Sequence, residues 1–358
     1  MHTPLKRAWV EIDLGALMRN GAAMAARGAA LIPMVKGDAY GLGAVPVARA
    51  LDRLDPWGFG VATVDEGRAL RDAGIQRPVI VFTPVHGAEL DDVRAARLTP
   101  ILARAEDIAA WRGTGGGDWQ LAIDTGMGRC GVRWSAMASL AAETALSAPQ
   151  GAYTHFHSAE TDPASVLEQE RRFEQALGAL RARPRMLHAE NSAALARRDR
   201  SLWTHARPGI FLYGVSSGLA VRVAPEPVVS VRARIVALRT VAAGDTVSYD
   251  ATWRAGGERT IATAAIGYAD GYRRSFSGRG AALLGGRRVS VAGIVTMDMT
   301  MLDVTGVPCA IGDVATFIGR DGASLITVED AAAMGELSPY ELLTGLGQRL
   351  EHSYREAP

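Results

Sequence analysis

Short apolar, strand-forming runs recur along the first two-thirds of the chain. They are ALIPMV (30–35), GFGVAT (58–63), PVIVFT (78–83), LTPIL (98–102), DWQLAID (118–124), GAYTHF (151–156), RMLHAE (185–190) and GIFLYG (209–214). Between them lie stretches with helical spacing, such as VPVARALDRL, TVDEGRALRDAG and ASVLEQERRFEQALGALRAR. Strands alternating with helices predict a parallel sheet with right-handed crossovers. Eight such units predict an α/β fold, a TIM-type (β/α)8 barrel, with a doubly wound open sheet as the alternative.

From residue 226 the texture changes. VVSVRARIVALRTV, GDTVSYD, RTIATAAIGYADG, RRVSVAGIVTMDMTMLDV and DVATFIG are β-rich segments broken by Gly and Asp, and helical spacing returns only in ITVEDAAAMG and YELLTGLGQRLEHSY. The pattern predicts a barrel domain over 1–225 and a mostly antiparallel β domain over 226–358, closed by two helices. The stretch AVRVAPEPVV (220–229) reads as the linker. The early strand AWVEIDL (8–14) precedes the barrel rhythm and is a candidate for the second domain's sheet.

Composition narrows the function classes. A length of 358 residues suits two domains. Lys and Arg number 39 against 38 Asp and Glu, so no basic field is offered to nucleic acid or to an anionic membrane. Cys130 and Cys309 form no framework. No run is apolar enough to span a membrane, and MHTPLKRAWVEID has no apolar export core. The expectation is a cytoplasmic enzyme acting on a small molecule.

In a barrel, chemistry collects at the C-terminal ends of the strands. Those positions are Lys36 after the first run, Asp124 and Arg129 after the fifth, His155 at the sixth, Asn191 and Ser192 after the seventh, and Gly209 at the eighth. Lys36 reads either as a solvated surface lysine or as a partly desolvated amine, its proton affinity lowered, that is free to attack a carbonyl. Tyr40 would share its side if a helix began there. Ser192 opens a helix (NSAALARR), whose first amides attract anions. A phosphate there and a lysine at the first strand together suggest a phosphorylated aldehyde cofactor held as a Schiff base. His155, His157 and Glu160 could form a metal site, but alternate strand residues face opposite ways, and the favoured expectation is no metal. GTGGG (113–117) is no nucleotide loop. Cys130 reads as a small buried residue, and LRARPR and ARRDR as solvated helix ends.

These residues stand in motifs that resemble, almost end to end, the alanine racemases of the barrel-type (fold type III) pyridoxal-phosphate class. VKGDAYGLG, DTGMGR, THF, HAENSAAL, RPGIFLYG, VSYD, GYADGY, TMDMTMLDV and YELLT occur in the family's order. The resemblance implies that Lys36 carries pyridoxal 5'-phosphate. It gives the phosphate to Tyr40, Ser192, Gly209 and Ile210, the pyridine nitrogen to Arg207, and a place beside the ring to His155. Arg129 is expected by the substrate carboxylate, with Tyr268, Met297, Asp298 and Tyr340 in pocket positions, Tyr340 among those holding the cofactor. Tyr249 is expected to be the second catalytic base, reaching the site from the partner subunit of a homodimer. The implied activity is isomerisation of L- and D-alanine, supplying D-alanine for peptidoglycan.

Chemistry agrees with that assignment. Racemisation removes a proton from one face of Cα and returns one to the other, for which two bases on opposite faces suffice. An arginine offers only donors, so Arg207 would keep the pyridine nitrogen unprotonated and disfavour transamination. Six positions depart from the family pattern: Ala122, where some members carry a modified lysine supporting the arginine, and His157, Glu190, Asp250, Ile294 and Thr296. They leave open a racemase of broader or different specificity. A non-catalytic pyridoxal-phosphate-binding barrel protein is a further alternative, against which the β domain with Tyr249 and Met297 argues; a metal-dependent hydrolase using His155 and His157 is the third.

Overall fold

The computed structural model describes residues 6–218, 221–347 and 349–356. The chain divides into two compact units, residues 17–225 and residues 1–16 together with 226–358. The opening strand β1 (Ala8–Asp13) therefore belongs with the C-terminal segment. It pairs antiparallel with Val229–Val241 and parallel with Glu351–Arg355. The expected linker begins at residue 220, outside the described residues; 221–228 has neither helix nor strand.

The first unit is a parallel (β/α)8 barrel. Its strands are β2 (Ala30–Leu31), β3 (Phe59–Val61), β4 (Val79–Val81), β5 (Thr99–Leu102), β6 (Gln120–Asp124), the short side strand β7 (Val132–Arg133), β8 (Gly151–Tyr153), β9 (Met186–His188) and β10 (His205–Ala206). The run β3-β4-β5-β6-β8-β9 is hydrogen-bonded in parallel, with β7 beside β6. Bridges Asn191–Arg207 and Met34–Gly60, with the β10–β2 pair between them, close the ring. One expectation is overturned here. GIFLYG is not the eighth strand: Ile210–Tyr213 is a 3-10 helix, and the strand is His205–Ala206 just before it. Trp203, Ala206 and residues 210–213 are all buried, so apolarity alone could not separate strand from helix.

Ile32, Ile80, Ile101, Ala122, Tyr153 and Met186 fill the barrel, one from each of six strand segments, as alternation along parallel strands requires. Two of the outer helices start at side-chain caps. Thr63 and Glu66 form a capping box for Val64–Asp72, and Asp162 accepts from Ala164 N at 3.0 Å and Ser165 N at 3.3 Å ahead of Pro163–Gly178. The latter helix buries Val166, Phe173, Ala176 and Leu177 at helical spacing. Full burial of a side chain such as Phe173 contributes roughly 1.5–3 kcal/mol.

In the second unit Val229–Val241 pairs with Arg259–Ala264 and with Val314–Asp321. Thr300–Asp303, Arg287–Val291 and Ala281–Leu284 complete an antiparallel β-barrel between those two partners. A bulge between Ile235 and Ala237 bends the long strand so that it can serve both. Among the described residues of the run YELLTGLGQRLEHSY, helix is confined to Pro339–Thr344, and the run ends in the strand Glu351–Arg355. No helix among the described residues is long and apolar enough to cross a membrane.

Candidate active site

Lys36 leaves the barrel wall in an unusual turn. Gly37, Asp38, Ala39 and Tyr40 have φ of 62°, 52°, 54° and 58°, a left-handed turn rather than the right-handed helix that would have set Tyr40 beside Lys36. Each L-residue held there costs roughly 1–2 kcal/mol, so the surroundings must impose it. Glu66 does so from the next strand–helix unit, accepting from Gly37 N and Ala62 N, each at 2.7 Å. Asp38 accepts from Ala44 N at 2.7 Å, and Tyr40 packs on Tyr213 with ring centroids 4.7 Å apart. Lys36 is half-buried. Burial, then Arg129 and Arg207, pull its proton affinity below the ordinary lysine value, against an opposing pull from Glu66.

A compact donor set forms around Ser192. Its hydroxyl oxygen accepts from Gly209 N at 2.8 Å and Phe211 N at 3.4 Å. Asn191 caps the short helix Ser192–Ala196, accepting from Ala194 N at 3.0 Å. Gly209 caps the 3-10 helix containing Ile210, and a Cβ on it would stand 2.3 Å from the Tyr40 hydroxyl. Tyr40, Ser192, Gly209 and Ile210 are thus gathered at one spot where hydroxyls and helix-start amides suit a phosphate.

Arg207 is buried and almost fully committed. Its Nη1 donates to His188 Nδ1 at 3.0 Å and to the His188 carbonyl, and Nη2 donates to the carbonyls of Thr154 at 2.7 Å and Ala189 at 3.4 Å. The guanidinium lies 5.0 Å from the Tyr153 ring centroid and 5.7 Å from that of Phe82. Burial, with Arg129 nearby, draws its pKa down to about 10. The Nε–H has no protein partner among the described residues. His155 is held neutral, its pKa drawn down to about 3 by burial and by Arg207, Arg129 and Lys36. Arg129 and Arg207 thus both act on Lys36 and His155, and Arg129 acts on Arg207.

Arg129 is exposed on the loop after β6, whose turn is tied by Asp124 accepting from Gly126 N at 3.0 Å and Gly128 N at 3.1 Å. Ala122 lines the same small pocket as Arg129 and His155 and presents only a methyl group to it. Among the described residues no three His, Cys, Asp or Glu side chains gather as a metal would require. His157 Nδ1 instead bonds Ser158 Oγ at 2.6 Å.

Tyr249, Tyr268, Met297, Asp298 and Tyr340 belong to the second unit. Tyr249 is 66% exposed on a loop with positive φ at Ser248, Asp250 and Ala251. Ser248 Oγ donates to the Ile294 carbonyl at 2.7 Å, and Tyr268 N and Ala269 N donate to the Thr296 and Met297 carbonyls at 3.0 Å. The segment 294–297 thus ties the Tyr249 and Tyr268 loops together. Asp298 is no free acid: Arg349 Nη1 donates to it at 2.9 Å, while Arg349 Nε donates to Asp270 at 3.1 Å. Tyr340 sits in the first turn of Pro339–Thr344 and is 39% exposed.

The remaining departures find local partners. Glu190 is buried against Arg198 (2.9 Å) and Ser201 (2.5 Å). Thr296 Oγ1 donates to the Met299 carbonyl at 2.9 Å, Asp250 lies 3.9 Å from Arg274, and Ile294 is buried. Sequence reasoning passed over Glu66, His188 and Arg349. His188 is signalled by its place in the strand beside the apolar pair Met186 and Leu187, whereas Glu66 reads as an ordinary capping residue.

Comparison with known proteins gives the same picture. Residues 12–217 match the family model of the alanine racemase N-terminal domain, and residues 228–354 that of the C-terminal domain. The chain is 39% identical to an alanine racemase of Sorangium cellulosum (90% of this chain, 91% of that protein) and 39% identical to one of Deinococcus radiodurans (97% and 99%). It is similar to the crystal structure of alanine racemase from E. faecalis, with a TM-score of 0.92, 29% identity and coverage of 99% and 100%. It is also similar to that of alanine racemase from Bartonella henselae with covalently bound pyridoxal phosphate, with a TM-score of 0.91, 25% identity and coverage of 98% and 100%. With both domain models matched in order along a chain that carries this lysine, arginine and phosphate-suited cluster, the protein belongs to the alanine racemase family.

Proposed function

We propose that this protein interconverts L- and D-alanine with pyridoxal 5'-phosphate bound at the mouth of its (β/α)8 barrel. The observation that carries the reading is the grouping of Lys36, Arg207 and the Ser192–Gly209–Tyr40 cluster on one barrel. The fit is chemical as well as positional: Arg207 keeps one N–H for a ring nitrogen, and the cluster offers donors to an anion.

When bound, pyridoxal phosphate supplies a carbonyl that condenses with amines and a conjugated ring that acidifies the substrate Cα. The residues then divide the work. The donors at Ser192, Gly209, Ile210 and Tyr40 would hold the phosphate, and Lys36 would hold the carbonyl carbon. Arg129 pairs with the substrate carboxylate. Arg207, a donor only, keeps the pyridine nitrogen unprotonated, and neutral His155 adds no proton beside the ring. As a free base, the Lys36 amine would take or return a proton on one face of the substrate Cα; its lowered proton affinity favours that form. Tyr249 of the partner subunit serves the opposite face, which makes the homodimer the working unit. D-alanine for peptidoglycan, made in the cytoplasm, is the corresponding role.

Incubating the purified protein with L-alanine and pyridoxal phosphate, and measuring D-alanine with a D-amino-acid oxidase, tests the reading. D-alanine should form, and Lys36→Ala should lose both turnover and the visible absorbance of bound cofactor. Absence of turnover across a panel of L-amino acids by the wild type would refute it; turnover of another amino acid in preference to alanine would move the substrate assignment. Tyr249→Phe should keep the absorbance while losing turnover, and full retained activity in both directions would remove Tyr249 as a base.

A further inference from the structure

From Arg207 a file of polar side chains runs through the barrel toward the N-terminal ends of its strands. Arg207 Nη1 donates to His188 Nδ1, and His188 Nε2 lies 3.2 Å from Gln120 Oε1. Gln120 Nε2 donates to Gln150 Oε1 at 2.7 Å, with Met186 Sδ at 3.4 Å, and Gln150 Nε2 donates to Asp118 Oδ2 at 2.5 Å. His188 and Gln120 are fully buried, whereas Asp118 is exposed. The mechanism above uses only the first member of this file.

Both ends of the file have fixed polarity. A guanidinium only donates and a carboxylate only accepts. With Asp118 accepting, Gln150 must turn its N–H outward and its oxygen inward. Gln120 must then give its N–H to Gln150 and its oxygen to His188, so that His188 carries its proton on Nε2 and presents a bare Nδ1 to Arg207. Reversing the amides would set an oxygen of Gln150 against the Asp118 carboxylate and a second N–H against Arg207. His188 cannot escape by tilting: it stacks on Tyr153 at 5.3 Å and 14°, with the Phe82 ring edge-on at 6.1 Å. Nor can it become cationic cheaply, because burial and then the Arg207 charge hold its pKa well below the ordinary value. The backbone makes room for the relay: a Cβ on Gly151, the cross-strand neighbour of Gln120, would stand 2.1 Å from Gln120 Oε1.

We propose that Asp118 is a positioning residue for Arg207. Through Gln150 and Gln120 it fixes the proton of His188 on Nε2, which leaves Nδ1 to anchor the guanidinium whose remaining N–H faces the cofactor nitrogen. That last consequence rests on the reading of the barrel mouth as a pyridoxal-phosphate site; the tautomer assignment does not.

The test uses the full chain with histidine labelled in its ring nitrogens, the His188 signals being identified by their loss in His188→Gln. In cofactor-free wild type, His188 should be neutral with Nε2 protonated and Nδ1 bare. Asp118→Lys replaces the terminal acceptor by a donor on the protein surface and should shift the His188 nitrogens toward the other tautomer or a mixture; Asp118→Glu should restore the wild-type pattern. Titration with pyridoxal phosphate, followed by absorbance, should show a several-fold rise in Kd for Asp118→Lys and none for Asp118→Glu. A wild-type His188 protonated on Nδ1, or a spectrum unchanged in Asp118→Lys, overturns the relay. Failure of wild type to bind the cofactor at all would instead overturn the functional reading and leave the tautomer result standing.

Discussion

The hydroxyl of Tyr40 occupies the space in which a side chain at residue 209 would begin: a Cβ on Gly209 would lie 2.3 Å from it and 3.1 Å from the ring carbon that bears it. The backbone angles of Gly209 are not left-handed, so the glycine is required by this approach alone. Tyr40 is pinned from its other side by Tyr213, whose hydroxyl donates to the Met34 carbonyl at 2.8 Å. Gly209→Ala should therefore displace the Tyr40 hydroxyl from the phosphate cluster. The expected result is at least a tenfold weaker affinity for pyridoxal phosphate by absorbance titration, with about 1–3 kcal/mol lost from stability by overpacking. Tyr40→Phe in the same background should recover most of the stability and none of the affinity.

Glu66 holds the left-handed turn and also bears on Lys36. Glu66→Gln keeps the shape but removes the charge that props up the lysine's proton affinity, so the Lys36 pKa should fall further below its ordinary value. For a base the sign is direct: a lower pKa extends the free-amine form to more acidic pH. Amine-directed labelling of Lys36 in cofactor-free protein, followed by peptide mapping, should show the rate curve displaced to lower pH in Glu66→Gln. Displacement to higher pH, or none, would refute the coupling. The loss of charge-assisted bonds to two backbone amides should also cost about 1.5–3 kcal/mol.

Buried neutral histidines set an acid limit on stability. His155, with a pKa drawn down to about 3, and His188, drawn well below the ordinary value, stay unprotonated while folded and take up protons when the chain unfolds. The unfolded state thus binds more protons below the ordinary histidine pKa, and stability falls as pH drops through about 6.5. Each such group contributes a slope of roughly 1.4 kcal/mol per pH unit in that window. Urea unfolding at a series of pH values should show the decline, and His155→Gln should flatten it. Equal slopes in wild type and variant would mean that His155 is protonated in the folded protein.

How much of this was legible in the sequence follows from what each feature depends on. Seven of the eight barrel strands announce themselves because they are apolar runs bounded by helical spacing, and the lysine and arginine sites follow from their ends. The eighth failed for a physical reason: β10 pairs through only two residues, His205–Ala206, while the buried 3-10 helix after it is the more apolar run. The left-handed turn at Gly37–Tyr40 was invisible because neither Ala39 nor Tyr40 favours it; Glu66, distant in sequence, imposes it. The polar file behind Arg207 was equally hidden, since Gln120, Gln150 and His188 are neighbours only after the barrel closes.

Glu190, the departure just before the NSA motif, is explained by packing. Arg198 joins it at 2.9 Å to Glu170, which the same guanidinium meets at 2.8 Å, and Trp203 Nε1 donates to Glu170 at 3.1 Å. Two buried carboxylates sharing one cation leave the pair dependent on that cation. Burial already raises the pKa of Glu190 above the ordinary carboxylate value, with Arg198 opposing the rise. Arg198→Leu removes the opposition, and breaking a buried pair in this way costs about 3–5 kcal/mol. A carboxylate whose folded pKa is raised loses stability as pH climbs above its unfolded pKa, so the deficit should be largest at neutral pH and shrink in mild acid, where the Glu190 carboxyl takes up a proton. Thermal melts of wild type and Arg198→Leu at neutral and mildly acidic pH should converge toward the acid side. A deficit that stays constant with pH would mean that Arg198 acts by packing its aliphatic stem, and Glu190→Gln combined with Arg198→Leu would then recover nothing.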